Sequence, residues 1–219
     1  MMNDATAQLD RWQQDLQQGL QQMQIDLSQD QQNQLLEYLQ LLVKWNKVFN
    51  LTAIRNPDEM VSRQLLDSLS ILPWIKGENV LDVGTGAGLP GIPLAIALPL
   101  VSFTLLDSNG KKTRFVQQAA SQLGLGNVEV INARIESLGT SGGFDNITSR
   151  AFASLEDFIG KTRQLLASNG HWLAMKGQSE RDEGSLPPGF LVHQHPLHVP
   201  GCQGERHLAE VCLTDEVCD

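Results

Sequence analysis

Hydrophobic residues in the first part of the chain recur at helical spacing. A first amphipathic helix is predicted by four residues separated by four, four and three positions: Trp12, Leu16, Leu20 and Met23. Ser28 and Gln31 have the spacing of a capping box, which begins a second helix. The buried face of this second helix would carry Leu35, Leu36, Leu39, Leu42 and Val43. Thirteen glutamines between residues 8 and 40 supply the solvent-facing positions, for which glutamine is an adequate helix former.

A third helix is predicted after residue 55. Asn56 followed by Pro57 is typical of a helix start, with Asn as the N-cap and Pro at the first helical position. The apolar face of this helix would bury Met60, Val61, Leu65 and Leu69. We therefore expect an N-terminal helical segment over residues 1–76.

From residue 79 onward, short apolar runs alternate with helical patterns. Five runs are predicted as buried parallel strands: 80–83, 101–106, 127–131, 144–148 and 171–175. Helices are expected near 90–98, after Asn109-Gly110, and from Ser154 to Asn169-Gly170. This alternation indicates an α/β fold with a doubly wound, Rossmann-like sheet that is mostly parallel.

The end of the chain is predicted to close that sheet. Residues 178–189 are expected to form a loop, and residues 190–199 and 206–213 an antiparallel pair. The sheet domain would then cover residues 77–213, followed by an acidic tail over 214–219.

Charge is distributed unevenly along the chain. The 219 residues carry a net charge of −9, but residues 1–43 account for −5 and residues 178–219 for −6. The middle of the chain is therefore slightly basic, at +2. Since the field of the whole molecule repels anions, an anionic substrate would have to meet local basic clusters in this middle part.

The sequence favours a cytoplasmic protein without a membrane anchor. No run of eighteen apolar residues occurs, and the first residues lack the basic and apolar regions of a signal peptide. The three cysteines, Cys202, Cys212 and Cys218, lie near the end without a C-x-x-C motif, so we expect reduced thiols. His193, His195 and His198 lack an evident fourth ligand, so no metal site is predicted.

A glycine-rich segment joins the first predicted strand to a helix. Glycine lets the backbone approach a ligand closely, and the free N–H groups of a helix start favour an anionic group. Residues 86–91, Gly-x-Gly-x-x-Gly, fit the dinucleotide fingerprint, whereas residues 82–88, Asp-x-Gly-x-Gly-x-Gly, fit loops that hold S-adenosylmethionine. Asp107, at the end of the second strand, could accept hydrogen bonds from ribose hydroxyls in either case. An NAD-binding oxidoreductase therefore stays an alternative, although no His–Asp or Tyr–Lys pair suited to hydride transfer is evident.

This loop and seven further segments resemble one protein family. Residues 81–94, LDVGTGAGLPGIPL, are similar to the S-adenosylmethionine loop of the ribosomal RNA small subunit methyltransferase G family, also named glucose-inhibited division protein B. The similar segments that accompany it, in chain order, are WNK (45–47), NLT (50–52), LLDS (105–108), KK (111–112), ITSRAFAS (147–154), KGQ (176–178) and GERHL (204–208). The resemblance covers about residues 35–208. One position departs from it, because the family commonly has His ahead of its Leu-Asp-Ser segment, where this chain has Gln64.

The resemblance implies a class I methyltransferase. Such an enzyme would transfer the methyl group of S-adenosylmethionine to N7 of a guanine in the 530 loop of bacterial 16S rRNA, in the small ribosomal subunit or an assembly intermediate. Gly84 and Leu89 would line the cofactor, Ile135 and Glu136 would contact its adenine end, and Arg150 would face the substrate. The loop pattern adds Thr85, Gly86, Gly88 and Asp107, so the complete predicted cofactor set is Gly84, Thr85, Gly86, Gly88, Leu89, Asp107, Ile135, Glu136 and Arg150. The resemblance, with the lack of a heptad seam, favours a monomer.

The chemistry of guanine N7 agrees with the absence of an evident nucleophile–base pair. N7 has an in-plane lone pair and no proton, so its attack on a sulfonium methyl needs alignment and electrostatics rather than a general base. We therefore predict no acid or base catalyst, and at most an electrostatic role for Arg150. The candidates for contacts to RNA are Lys44, Lys47, Asn50, Arg55, Arg63, Lys111, Lys112, Arg114 and Lys176. For each lysine alone, an ordinary solvated surface position is the alternative to an RNA contact. For the whole chain, a non-catalytic ribosome-binding module remains an alternative to the enzyme.

Overall fold

A seven-stranded sheet organises the fold. The computed structural model describes residues 2–139, 143–150, 152, 154–177 and 186–214. In this part of the chain the strands lie in the order β3-β2-β1-β4-β5-β7-β6. Their bounds are β1 Asn79–Val83, β2 Ser102–Asp107, β3 Val128–Asn132, β4 Phe144–Ser149, β5 Leu166–Gly177, β6 Phe190–Leu197 and β7 Arg206–Leu213. Strands β1 to β5 are parallel and β7 runs antiparallel to β5 and β6, which confirms the predicted sheet with its antiparallel closing pair.

The helices begin where the caps predicted them. Their bounds are α1 Met2–Gln22, α2 Gln29–Phe49, α3 Pro57–Met60, a π-helix Val61–Leu66, α4 Asp67–Leu69, α5 Gly91–Ala97, α6 Gly110–Gln122 and α7 Leu155–Thr162. The capping box is present, because the Ser28 hydroxyl accepts from the Gln31 N–H at 3.2 Å and the Gln31 side chain accepts from the Ser28 N–H at 2.9 Å. Asn56 caps α3 through the Asp58 N–H at 3.2 Å. The N-terminal helical extension is therefore confirmed.

One predicted boundary is wrong. Helix α7 ends at Thr162, and Asn169-Gly170 lies inside strand β5 instead of ending the helix. The pairing of β4 with β5 is irregular between Phe144 and Asn146. A Cβ at Gly170 would lie 2.7 Å from Leu166 Cγ and 2.9 Å from the Phe144 carbonyl oxygen. Gly170 thus permits two strands to approach closely. From the sequence alone, a glycine with this role looks the same as one that marks a turn.

Buried side chains cover both faces of the sheet. Alternate residues of β1 point to opposite faces, so Val80 packs with the N-terminal helices and with α5 and α6, whereas Leu81 packs with α7. The residues predicted on the apolar faces of the second and third helices are buried, apart from the partly buried Val43. Since helices before residue 76 share this core with the sheet, they hold a fixed position against it, while the domain boundary after residue 76 stays a prediction.

Three expectations concern the remainder of the chain. Cys202 is a free thiol but Cys212 is disulfide-bonded, so the expectation of reduced thiols is wrong at Cys212. Among the helices that the structure describes, none combines the length and apolar composition needed to cross a bilayer. Most of the predicted loop (178–185) and of the acidic tail (215–219) lies outside the described residues, as do Ala151, Ala153 and Gln178 of the similar segments.

Candidate cofactor and substrate site

The glycine loop turns sharply between β1 and α5. Gly84, Gly86 and Gly88 have φ angles of 69°, 62° and 89°, in the left-handed region that favours glycine. Gly91, at the start of α5, is needed for another reason. A Cβ there would overlap the Leu105 side chain and lie 2.8 Å from Asp82 Oδ2. The sequence of the loop therefore brings the N-terminus of α5 close to the end of β1.

The side chain of Asp82, in β1, holds the glycine loop by two hydrogen bonds. It is fully buried, and its Oδ2 accepts from the Thr85 hydroxyl at 2.6 Å and from the Gly91 N–H at 3.0 Å. Burial raises the pKa of Asp82 to about 6, although these two hydrogen bonds act in the opposite direction. This pKa is higher in the folded protein than in the unfolded chain. Protonation of Asp82 therefore stabilises the fold below about pH 4, and this stabilisation is lost as the pH rises from about 4 to 6. The Thr85 hydroxyl is thus used inside the protein and holds the loop to β1.

Asp107 fixes the loop from the neighbouring strand. Its Oδ2 accepts from the Gly86 N–H at 2.9 Å, and its Oδ1 accepts from the Asn109 N–H at 2.8 Å. A carboxylate has about four acceptor positions, so two such bonds leave capacity for hydroxyl donors. Asp107 therefore joins β2, the glycine loop and the start of α6 at one edge of the sheet.

A cavity of about 350 Å³ opens beside Asp107. We name it the Glu136 cavity, and its lining residues are Val83, Gly84, Leu106, Asp107, Ser108, Ala133, Arg134, Ile135, Glu136 and Phe152. Four predicted cofactor residues meet on its wall: Gly84, Asp107, Ile135 and Glu136. Sequence reasoning missed Phe152 and Arg134 as cofactor residues, although Phe152 lies within the similar segment 147–154 and Arg134 directly precedes Ile135.

The other predicted cofactor residues lie outside this wall. Thr85 and Leu89 are buried, and Gly88 packs against the Ile92 side chain. A Cβ at Gly86 would make only ordinary van der Waals contacts, at 3.8 Å from the Gly84 carbonyl oxygen and 3.9 Å from Lys112 Nζ. Arg150 lines a different, neighbouring cavity.

This second cavity, of about 700 Å³, is named the Arg150 cavity. Its wall carries four cationic side chains at the ends of β4 and β5, the start of β7 and the π-helix: Arg63, Arg150, Lys176 and Arg206. Lys176 is buried, and its Nζ donates to the Phe152 carbonyl oxygen at 2.8 Å. Since Phe152 lines the Glu136 cavity, this hydrogen bond lies where the two cavities adjoin.

A buried carboxylate holds two of those cations. Asp67 Oδ2 lies 3.0 Å from Arg150 Nη1, and Asp67 Oδ1 lies 3.2 Å from Arg206 Nε. Gln64, the position that departs from the resemblance, accepts from Arg150 Nη2 at 3.4 Å and donates to the Thr52 hydroxyl at 2.9 Å. Sequence reasoning missed Asp67, and the available signal was an acid between the apolar positions 65 and 69 of a predicted helix.

The remaining candidates for RNA contacts lie at the surface. The exposed side chains among them are Lys44, Lys47, Asn50, Arg55, Lys111 and Arg114, while Arg63 and Lys112 are half-buried. Arg55 donates to the Asn50 side chain at 2.7 Å, and Arg63 pairs with Glu59 at 2.7 Å. The described ranges contain no group of three or more His, Cys, Asp or Glu side chains placed to hold a metal ion.

Tyr38 connects α2 to the glycine loop, and its hydroxyl donates to the Ala87 carbonyl oxygen at 2.7 Å. Burial raises the pKa of Tyr38 far above its ordinary value, so it stays a donor. Tyr38→Phe is expected to lower the free energy of unfolding by about 1–3 kcal/mol, because a buried carbonyl loses its partner. It should also weaken cofactor binding, which calorimetric titration with S-adenosylmethionine would measure. The matched control is Ser28→Ala, which removes a hydroxyl from the same helix away from the loop; equal cofactor affinities for the two variants would contradict this role.

The fold and the loop define the class of protein. A SAM-dependent methyltransferase from Aquifex aeolicus superposes with a TM-score of 0.55 at 18% identity, covering 77% of this chain and 96% of that one. The O-methyltransferase TomG from Streptomyces achromogenes, solved in complex with SAM, superposes with a TM-score of 0.56 at 14% identity, covering 81% and 90%. The chain therefore has the fold of S-adenosylmethionine-dependent methyltransferases.

The family follows from the sequence comparisons. The profile of the rRNA small subunit methyltransferase G family matches residues 31–209. The ribosomal RNA small subunit methyltransferase G of Ectopseudomonas mendocina is 57% identical over 198 residues, 89% of this chain and 92% of that protein. The protein of the same name from Marinobacter nauticus is 56% identical over 207 residues, 94% and 97% of the two chains. This chain belongs to the rRNA small subunit methyltransferase G family, and its resemblance to that family is confirmed.

The residues of the Glu136 cavity fit the cofactor of this class. Ile135 and Phe152 offer apolar surface for an adenine ring, and Asp107 retains acceptor capacity for ribose hydroxyls. Among the described residues, the buried Asp82 Oδ1 has no hydrogen-bond partner, so an ammonium group or a water molecule could satisfy it. This cavity would accept an adenosine group, which S-adenosylmethionine shares with NAD, and it is the family membership of the chain that favours S-adenosylmethionine as the ligand.

Proposed function

We propose that this chain is a cytoplasmic, monomeric enzyme that transfers the methyl group of S-adenosylmethionine to N7 of a guanine in the 530 loop of 16S rRNA. Its substrate would be the small ribosomal subunit or an assembly intermediate. Family membership supports the reaction class and the rRNA substrate. The structural observation that carries the proposal is the cofactor-sized Glu136 cavity directly beside the cationic Arg150 cavity.

In this proposal the residues of the Glu136 cavity hold and orient the cofactor. Asp107 accepts from its ribose, Ile135 and Phe152 flank its adenine, and Gly84 lets the backbone approach it. The cofactor supplies an electrophilic methyl group on a positively charged sulfur. The predicted residues Thr85, Gly88 and Leu89 act by shaping the loop, whereas Gly86, whose N–H donates to Asp107, lies beside the ligand.

The Arg150 cavity would hold the target guanine and its phosphate. N7 attacks with its own lone pair, so the cavity has only to align the base and exclude water. The guanine ring gains positive charge as the sulfonium loses it, and unpaired cations nearby would oppose this step. Asp67 offsets the charges of Arg150 and Arg206, so these guanidiniums can orient a phosphate without a large excess of positive charge at the base.

Methyl transfer to rRNA tests the proposal. The purified chain is incubated with radiolabelled S-adenosylmethionine and with small subunits, assembly intermediates or naked 16S rRNA from a strain lacking the modification. We expect one labelled 7-methylguanosine, located in the 530 loop by nuclease mapping and mass spectrometry. Transfer to another atom or another loop would contradict the proposed specificity. Subunit binding without any transfer would indicate a binding module, and binding of NAD but not S-adenosylmethionine would indicate an oxidoreductase.

A further inference from the structure

An exposed aromatic ring lies at the C-terminal end of α2. Phe49 is 41% exposed and the adjacent Val48 is 69% exposed. In the described part of the chain, Phe49 is the one aromatic residue among the large apolar side chains that are exposed. A single exposed apolar side chain is ordinary, so its surroundings decide whether it has a function.

The surroundings of Phe49 are basic. Residues 44–55 contain three basic side chains and no acid, and residues 109–116 at the start of α6 also contain three and no acid, in a chain of net charge −9. Contact between Trp45 and Phe115, with ring centroids 5.5 Å apart, joins the two segments. We name residues 44–55 and 109–116 the α2–α6 basic surface. Its charge complements a polyanion, although the whole molecule repels one.

This surface borders the Arg150 cavity and the glycine loop. Lys112 Nζ lies 3.9 Å from the position that a Cβ on Gly86 would take, so it lies above the glycine loop. Ile54, near the other end of the surface, lines the Arg150 cavity. An RNA strand that places a base in the Arg150 cavity would therefore pass over the α2–α6 basic surface.

A row of aromatic rings supports Phe49 from the interior. The Phe49 and Trp45 centroids are 5.2 Å apart, and Phe115, which contacts Trp45, lies 6.3 Å from the Tyr38 ring. Tyr38 in turn binds the glycine loop through the Ala87 carbonyl oxygen. Such packing holds the exposed ring at a fixed position relative to the loop, as a stacking platform requires.

We propose that Phe49 stacks on a nucleotide that flanks the target guanine, while the cations of the α2–α6 basic surface bind the neighbouring phosphates. A base in a single-stranded loop is read after it is splayed out, and its neighbours then stack on aromatic side chains. The proposal deepens the proposed function, on which it rests, by naming the surface that binds the RNA outside the cavity.

Site-specific cross-linking tests which macromolecule Phe49 contacts. The full chain carrying p-benzoylphenylalanine at position 49 is irradiated with small subunits that lack the modification, and the products are digested with ribonuclease or protease. Leu100, which is 95% exposed, provides the matched control position. We expect a cross-link from position 49 to rRNA that exceeds the signal from position 100. A cross-link to a ribosomal protein, or no excess over position 100, would overturn the proposal.

Substitution of Phe49 tests the stacking itself. Phe49→Ala is expected to weaken binding to the small subunit by about 5- to 100-fold, the usual loss for one stacked base, while the affinity for S-adenosylmethionine is unchanged. Phe49→Trp should retain binding, because it keeps an aromatic face, and Leu100→Ala should bind like the wild type. If Phe49→Ala binds normally, or Phe49→Trp fails equally, the stacking role is wrong. The wild-type transfer assay is separate, so failure of methylation and failure of this surface are distinguishable.

Discussion

The Gly86→Asp variant is expected to fold and to show no measurable binding of S-adenosylmethionine. The φ angle of Gly86, 62°, costs a side-chain-bearing residue about 1–2 kcal/mol, which a folded domain can tolerate. A Cβ at this position meets only ordinary contacts within the protein, at 3.8 Å and beyond. The added carboxylate would therefore extend into the space beside the loop, near Asp107, which accepts from the Gly86 N–H. Loss of cofactor binding would come from occupied space and added negative charge at the ligand, and calorimetric titration measures it.

Two glycine variants separate these effects. Gly86→Ala carries the backbone strain without the charge, so we expect a modest loss of stability and weakened but measurable cofactor binding. Gly126→Ala provides the control, since a Cβ there has no neighbour within 4 Å and its φ is not in the left-handed region. An unchanged affinity in a folded Gly86→Asp protein would show that the cofactor lies elsewhere.

Sequence patterns predicted the features that depend on local interactions. Caps such as Ser28 and Asn56 act within three residues, and the glycine loop needs only its own φ angles. Gly84, Asp107 and the pair Ile135-Glu136 could be placed together because parallel strands end at one edge of a sheet. These parts of the fold and site follow from rules that do not require knowledge of distant contacts.

Features that depend on distant contacts could not be predicted in this way. Asn169-Gly170 looks like a turn, but the position of Gly170 against Phe144 and Leu166 keeps it within a strand. Lys176 was predicted to contact RNA phosphates, but it is buried and donates to the Phe152 carbonyl oxygen, so its role in RNA binding stays a prediction. Asp67 became recognisable only when β4 and β7 brought two arginines to it.

Asp67→Asn is expected to lower kcat/KM for rRNA methylation by about 10- to 100-fold, equivalent to about 1.4–2.8 kcal/mol. The amide keeps the shape of the side chain but loses the charge that holds Arg150 and Arg206, at 3.0 Å and 3.2 Å. The two guanidiniums, each about a quarter exposed, would then repel one another and leave the positions in which they can orient a phosphate. Steady-state assays with varied rRNA and with varied cofactor would measure this loss.

The kinetic pattern distinguishes a positioning residue from a purely structural one. If Asp67 positions the arginines, KM for rRNA should rise and kcat should fall, whereas the dissociation constant of S-adenosylmethionine should stay the same, because the Glu136 cavity is untouched. Asp58→Asn is the matched control, since it removes an exposed carboxylate of the same helical extension whose partner, Arg11, is also exposed, and neither residue lines either cavity. Normal methylation by Asp67→Asn would contradict the role, and so would parallel losses of unfolding free energy and cofactor affinity. Arg150 lies at the end of β4 and Arg206 at the start of β7. A positioning role would therefore mean that one buried carboxylate of the helical extension brings three separate segments of the chain together on the substrate side of the site.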